Sequence, residues 1–411
     1  MTATILPQSS PGAPEPIDTL DSAARRDQIL AAIEEIAEEL AAEAAGTEQL
    51  GKLTDRALEL VRGVGVGKTL VAEELGGYGM YPGDVFPVLE RIARIDGSIG
   101  WVSTIVATAG PFLNMFDLPA ARELLADGLP MFSASGAPTG RGVPVEGGYR
   151  FSGSYSYSSG GLHADYVFCS GFTLGPDGTP AGMASFMVPA SAVTHNGNWD
   201  TLGLRGTGSV DFTVTDHFVP DAHVLDMFGP PKLGGPAGSA GLFLIIHLMH
   251  IGWASGITRR LLDEVAAHAA RPATRPGAVR LAENPAFRTE YAEREMAALA
   301  ARALVVQCWA DIDATLKRAE RLTTRQITLL YGASIQAHNV ARDTALWAFN
   351  KGGGTALRQG TYQRVVRDTL SGAQHILLDH SHMTDIGHEL LGADPGMMWM
   401  GPVFGDPTKG H

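Results

Sequence analysis

Apolar and polar positions change period twice along the chain, which divides it into three blocks. From Asp18 to about Asp127 the spacing is helical. Ile29, Leu30, Ile33, Ile36 and Leu40 fall on one face of a segment over residues 23–45, which Asp21 or Ser22 can cap. The same spacing predicts helices over 51–62, 81–96, 97–116 and 119–126. At Met131 the pattern becomes alternating and stays strand-like to Pro220. Tyr149, Phe151, Gly153, Tyr155 and Tyr157 take one face of a strand, and Arg150, Ser152, Ser154, Ser156 and Ser158 the other. Further strands are expected over 165–171, 183–188 and 210–219. After a Gly/Pro linker at 228–239, helical periodicity returns in four long segments: 242–270, 285–312, 313–351 and 362–389.

This order predicts an α+β chain with an N-terminal helical domain (18–130), a central β-barrel or sandwich (131–228) and a C-terminal four-helix bundle (240–390). The Pro/Ser-rich residues 1–17 read as a disordered tail, and 391–411 as a C-terminal tail. The longest apolar run, 241–257, is shorter than the roughly 20 residues of a spanning helix and carries His247 and His250, so a buried helix is expected.

Charge narrows the function. Among 411 residues the net charge is −13, which gives no general attraction to nucleic acid or anionic lipid, and no basic stripe offsets it. The two cysteines, Cys169 and Cys308, cannot build a disulfide framework or a four-thiolate zinc site. A reducing, cytoplasmic setting is expected, since no basic-then-apolar leader opens the chain.

Several tempting motifs fail. Gly63-Val64-Gly65-Val66-Gly67-Lys68-Thr69 is one residue short of a phosphate loop and follows no strand, so it reads as a turn. There is no complete G-x-G-x-x-G and no G-x-S-x-G, hence no direct nicotinamide site and no nucleophile elbow. His375, His380, His382 and His388 cluster with Asp379, Asp385 and Glu389, but their spacing does not gather them on one helix face, so no metal is expected. Glycine clusters at 158–161, 203–209 and 352–354 permit close backbone approach, with Ser, Thr and Arg beside them to hydrogen-bond a ligand.

Glu74-Leu75-Gly76-Gly77-Tyr78-Gly79 and Tyr362-Gln363-Arg364-Val365-Val366-Arg367-Asp368, read with the block order, resemble the acyl-CoA dehydrogenase superfamily over residues 20–390. Within it, residues 153–160 with His163-Ala164-Asp165, and Trp199 to Ser209, are similar to the two-component flavin-dependent monooxygenases. Tyr155 departs from the Trp common at that position. Where classical acyl-CoA dehydrogenases often place a catalytic Glu after the Arg-Asp motif, this chain reads Gln374-His375-Ile376.

The resemblance implies an enzyme that takes reduced flavin (FADH2 or FMNH2) from a separate reductase. With O2 it would hydroxylate a small aromatic, polyketide or indole substrate through a flavin hydroperoxide that must be shielded from solvent. By resemblance, Ser158 and Ser159 lie near flavin N5, and Arg205, Thr207 and Ser209 make flavin-side contacts. His375 accepts a hydrogen bond from the substrate OH or NH. Gly353 belongs to a cofactor-contacting turn between subunits of a homotetramer. Arg367-Asp368 is either a structural salt bridge or a cofactor contact. The alternatives are a flavin-dependent acyl-CoA dehydrogenase or oxidase, an amino-sugar N-oxygenase, and a flavin-less binding module.

Overall fold

The computed structural model describes residues 20–226, 229–273 and 279–393. The expected tail at 1–17, most of that at 391–411 and the first residue of the expected linker lie outside the described residues. Helices α1 (Ser22–Ala42), α2 (Ala44–Leu50), α3 (Asp55–Gly63), α4 (Pro82–Ile95), α5 (Gly97–Ala107), α6 (Ala109–Leu113) and α7 (Leu118–Leu124) precede the sheet. Asp21 caps α1, its carboxylate accepting the Ala24 N–H at 2.8 Å. The helix expected over 97–116 is broken, because Pro111 lacks the N–H that would bond the Ala107 carbonyl. Residues 63–69 run from the end of α3 through a 3-10 turn, Val66–Lys68, and are not a strand-to-helix phosphate loop.

Strands β1 (Phe132–Val145), β2 (Gly148–Tyr155), β3 (Tyr166–Leu174), β4 (Pro180–Pro189), β5 (Val193–His195), β6 (Phe212–Pro220) and β7 (Val224–Leu225) form one seven-stranded sheet in the order β5-β6-β2-β1-β3-β4-β7. The β1–β3 pairing is parallel and the others antiparallel, so the sheet is mixed. Its ladder does not close into a barrel, but the sheet curls strongly onto itself. Phe151 on β2 and Phe186 on β4 stand three strands apart, about 14 Å in a flat sheet. Their rings nevertheless stack with centroids 4.3 Å apart. Glycines on β1, one of the two strands between them, make this possible. A Cβ on Gly140 would lie 2.2 Å from the Tyr155 hydroxyl, and one on Gly142 2.5 Å from Phe186. The other face of the sheet carries Phe132, Phe168 and Met187 against Phe112 and Phe116.

The remaining helices are α8 (Pro236–Ala240), α9 (Leu242–Ala269), α10 (Pro285–Lys317), α11 (Thr324–Gly352), α12 (Gly354–Leu357), α13 (Thr361–Gly372) and α14 (Met383–Leu390). α9 is long and apolar enough to cross a membrane by length and composition alone, but 72% of its most apolar window is buried inside the protein. It is the core helix, as its two histidines suggested. α11 starts at a capping box in which Thr323 and Gln326 exchange bonds. The helix expected over 362–389 is the main departure: it stops at Gly372, passes through two 3-10 turns and resumes as α14.

Candidate active site

Four segments converge where the sheet's loops meet α5, α9 and the end of α13. Asp96 caps α5 by accepting the Ser98 and Ile99 N–H groups, and one turn later α5 presents Trp101. The loop after β2 turns through Tyr157 (φ 64°) and Gly160 (φ 70°), carrying Ser158 and Ser159 between them. A second loop, residues 203–209, turns through Leu204 (φ 54°) and Gly208 (φ 59°). The two loops are tied by backbone bonds, Gly160 N–H to Thr207 O at 2.9 Å and Ser158 N–H to Val210 O at 3.4 Å.

Hydroxyls line this junction. Thr207 and Ser209 share a bond at 2.6 Å, Ser209 and Ser159 another at 2.8 Å, and the Trp101 indole N–H donates to Ser159 Oγ at 3.0 Å. Ser158 does not join them. It is fully buried, with its hydroxyl bonded to Ser133 Oγ at 2.6 Å on the sheet side. Arg205 points to solvent and pairs with Asp200 at 3.0 Å. Gly353, with φ 49°, ends α11 some fifteen residues past His338, about 22 Å along the helix, so within one chain it stands apart from the rest.

The loop 203–209 is held from behind. Asp368 on α13 accepts the Leu204 N–H at 2.6 Å, and Ser98 accepts the Gly206 N–H at 3.3 Å. Asp368 is not paired with Arg367, which bonds Glu48 and the Leu202 carbonyl. Burial, and then the nearby Asp96 carboxylate, push Asp368 well above the usual carboxylate range. Asp96 itself takes the Arg364 Nε–H at 3.1 Å.

The break after α13 delivers His375. Gly372 allows it, since a Cβ there would lie 2.1 Å from the Trp253 ring. His375 then caps a 3-10 turn, its Nδ1 accepting the Leu377 N–H at 3.3 Å. Burial lowers its pKa to about 4, so the ring is neutral at pH 7. With Nδ1 accepting, the proton of that neutral ring sits on Nε2. His375 thus presents a donor, where the sequence suggested an acceptor of substrate protons. His380, His382 and His388 lie along the exposed end of the same segment, as expected.

Two residues on α9 that the sequence did not assign to the site, His250 and Trp253, complete the wall. The His250 ring lies 4.1 Å from that of His375 and 5.3 Å from that of Trp101, and Trp101 lies 6.3 Å from His375. Trp253 packs edge-on against Trp101 at 5.0 Å and donates to the Gly97 carbonyl. The signal was present in the spacing of His247, His250 and Trp253 along one apolar helix, where polar rings break the run. Exposed Tyr157 and Ile376 flank the approach.

Residues 248–380 match the family model described as acyl-CoA dehydrogenase, C-terminal domain. The solved structure of the HsaA monooxygenase from M. tuberculosis superimposes with a TM-score of 0.82 at 28% identity, covering 90% of this chain and 98% of that one. The chain has the acyl-CoA dehydrogenase fold. In sequence, the curated HsaA oxygenase subunit of a flavin-dependent monooxygenase from Mycobacterium tuberculosis is 38% identical over 47% of this chain and 49% of its own length. The chain thus spans about half the length of the first curated relatives it matches. Indole-3-acetate monooxygenase from Pseudomonas putida is 29% identical over 80% of this chain and 83% of its own. XiaF from Streptomyces sp., solved in complex with FADH2 and glycerol, shares the fold at a TM-score of 0.83, 22% identity and coverage of 92% of this chain and 98% of that one. Homologues of this acyl-CoA dehydrogenase-fold chain therefore include oxygenase subunits of flavin-dependent monooxygenases. In the same fold, the position after the Arg-Asp motif holds His375 in the cleft with Trp101 and His250.

Proposed function

We propose that the chain is the oxygenase component of a two-component monooxygenase, using reduced flavin and O2 to hydroxylate an aromatic or indole-like substrate. The observation that carries this reading is the neutral, half-buried His375 beside Trp101 at the site where a dehydrogenase would need a carboxylate base. Its relatives supply the chemistry by name: HsaA is a flavin-dependent monooxygenase, and the partner of XiaF is FADH2.

The residues present fit a flavin. The row runs in one direction, from the Trp101 N–H through the Ser159 and Ser209 hydroxyls to Thr207 and the Leu204 carbonyl, at the junction of two loops whose backbones are pinned together. Ser159, Thr207 and Ser209 would hold the ring edge, and Arg205 on the rim is placed to take a phosphate once it leaves Asp200. Bound reduced flavin supplies the two electrons that activate O2 for transfer of one oxygen atom to the substrate. The protein's own part is to orient and to keep water out. Trp101, Trp253 and His250 close the inner wall, and His375 Nε2–H donates a hydrogen bond to oxygen at the reacting centre.

A separate flavin reductase is the partner this role requires, because the chain carries no dinucleotide fingerprint. A homotetramer is supported by α10, which exposes Met296, Leu299, Leu304 and Val306, and by Leu346 and Phe349 on α11. In such an assembly Gly353 of one subunit would meet the flavin of another. Cys169 and Cys308 are free and buried, in keeping with the cytoplasm.

Chemically reduced FAD or FMN bound anaerobically, then mixed with oxygenated buffer and an aromatic substrate panel, tests the function. Incorporation of labelled oxygen into product is expected, without any need for NADH. Oxidation of an acyl-CoA thioester with no oxygen transfer, or no binding of reduced flavin, would overturn it.

A further inference from the structure

Arg367 and Asp368, side by side on α13, grip one loop at two points. Asp368 Oδ1 accepts the Leu204 N–H at 2.6 Å, and Arg367 Nη1 donates to the Leu202 carbonyl at 2.8 Å. Between those points Gly203 lies flat on the helix, so close that a Cβ there would stand 2.2 Å from the Arg367 carbonyl oxygen. Arg367 is itself braced, its Nε donating to Gln363 Oε1 at 3.2 Å and its Nη2 to Glu48 on α2. Asp368 is buried and the Arg367 side chain only 15% exposed, so water competes little for these bonds.

The clamped residue is Leu204, which is not a glycine yet sits at φ 54°. L side chains rarely adopt that backbone region and persist in it only where their surroundings enforce it. In this conformation the Leu204 carbonyl accepts the Thr207 hydroxyl at 2.8 Å and the Trp199 indole N–H at 2.9 Å. Having given its one proton to Leu204, Thr207 can only accept from Ser209, and Ser209 in turn only from Ser159. The Leu204 carbonyl therefore sets the direction of the whole hydroxyl row, and leaves its members only lone pairs for a ligand. Without the clamp Leu204 is free to leave the left-handed region, its carbonyl swings away, and the row loses that direction.

The same helix places two further parts of the cleft. Arg364, one turn before Asp368, donates from Nε to Asp96 Oδ2 at 3.1 Å, and Asp96 caps the helix that presents Trp101. Seven residues after Asp368, past the stop at Gly372, the chain delivers His375. Resting on the proposed function, we infer that Arg367 and Asp368 are positioning residues, which clamp loop 203–209 to α13 and so fix the hydroxyl row relative to His375. They act through Leu204 rather than on the reacting groups. Their role is to keep oxygen transfer coupled to the substrate, since a small misplacement of reacting partners is enough to lose it.

Hydrogen–deuterium exchange on the full-length protein without flavin reads the clamp directly. The peptide containing Leu204 and Gly206 is expected to exchange about tenfold or more faster in Asp368→Leu and Arg367→Met than in wild type. Asp368→Asn, which keeps an oxygen for the Leu204 N–H, should exchange close to the wild-type rate, and Gly203→Ala, which pushes the loop off the helix, should exchange fast. In turnover with chemically reduced FAD or FMN and with phenol or indole as probe, Asp368→Leu and Arg367→Met should bind reduced flavin within about threefold of wild type but lower the product-to-peroxide ratio about tenfold or more. Asp368→Asn should restore that ratio. Arg302→Met, which breaks a surface pair with Glu90 on α10, should change neither exchange in the loop nor coupling. An unchanged exchange rate or an unchanged ratio in both Asp368→Leu and Arg367→Met overturns the inference, as does an Asp368→Asn variant as impaired as Asp368→Leu. Should Asp368→Leu fail to fold, Arg367→Met and Gly203→Ala decide by the same two readings. Failure of the proposed function is distinct, appearing as no oxygen transfer by wild type while the exchange pattern stands.

Discussion

Trp101 donates its indole N–H to Ser159 Oγ at 3.0 Å, across the junction of α5 and the loop after β2. The adjacent Ser158 turns the other way, into Ser133. Of the two serines expected at the flavin, the side chain of Ser159 therefore faces the cleft and that of Ser158 braces the sheet. Ser159→Ala and Trp101→Phe should each shorten the lifetime of the oxygen-reactive state, read by rapid-mixing absorbance. Ser158→Ala should instead lower stability by about 1 kcal/mol, because it removes the bond to the buried Ser133 hydroxyl, which still donates to the Ser159 carbonyl at 2.9 Å. A flavin defect in Ser158→Ala equal to that in Ser159→Ala would reverse the assignment.

His375→Ala should leave flavin binding intact and cut product formation by roughly 10²-fold or more, with hydrogen peroxide rising as oxygen is consumed without transfer. Because the geometry makes His375 a donor, His375→Gln, which keeps an N–H, should recover more activity than His375→Ala. Product and peroxide assays on the same samples separate coupling from binding. Unchanged coupling in His375→Ala removes the residue from the reaction.

Acid should destabilise the protein early. Burial lowers His338 and His375 to about 4, His247 to about 3 and His250 well below its ordinary value. Each is neutral when folded and takes a proton on unfolding below about pH 6.5. Their stabilising contribution is thus complete above that value and is lost as pH falls toward 4, at about 1.4 kcal/mol per pH unit for each histidine. Melting temperatures from pH 7.5 to 5 should fall steeply, and His338→Phe should reduce the slope by about one proton's worth.

Asp368 gives the opposite sign. Its folded pKa is raised by burial and by Asp96, so its contribution is greatest below the ordinary carboxylate range and is lost as pH rises through the folded value. Asp368→Asn keeps an oxygen for the Leu204 N–H and removes the charge. The variant should gain stability over wild type as pH rises from about 4 to about 8 and hold that gain above it. A difference that does not grow between pH 5 and 8 would show that the Asp368 carboxyl is not raised in the folded protein.

The three-block order and most helices were legible because their periods are strong. The Asp21 cap and the alternation of β2 appear in the structure where the residues suggested. The curl of the sheet was not legible, since it depends on Gly140 and Gly142 letting rings from β2 and β4 meet over β1. Nor was the stop at Gly372, where the helical pattern continues but Trp253 occupies the place of any side chain. That hidden stop is why His375 read as one of four histidines at a solvated helix end. His250 and His338 were hidden for a related reason: each sits on a face that is otherwise apolar, and only the fold brings α9 and α11 together. Arg205 and Gly353 matched family motifs, but within one chain neither joins the hydroxyl row.

The apolar character of α9 has a consequence for how the protein is made. α4, against which one side of α9 packs, precedes it in the chain, but α11, which covers another side, ends at Gly352, 83 residues after Ala269. At about 5–20 residues per second, translation leaves that greasy surface waiting for its cover for roughly 4–17 s. A nascent chain paused in this interval displays a helix that passes for a membrane segment by length and composition. Ribosome-associated chaperones are expected to hold it, and truncations ending between α9 and α11 should accumulate in inclusion bodies while the full-length chain does not.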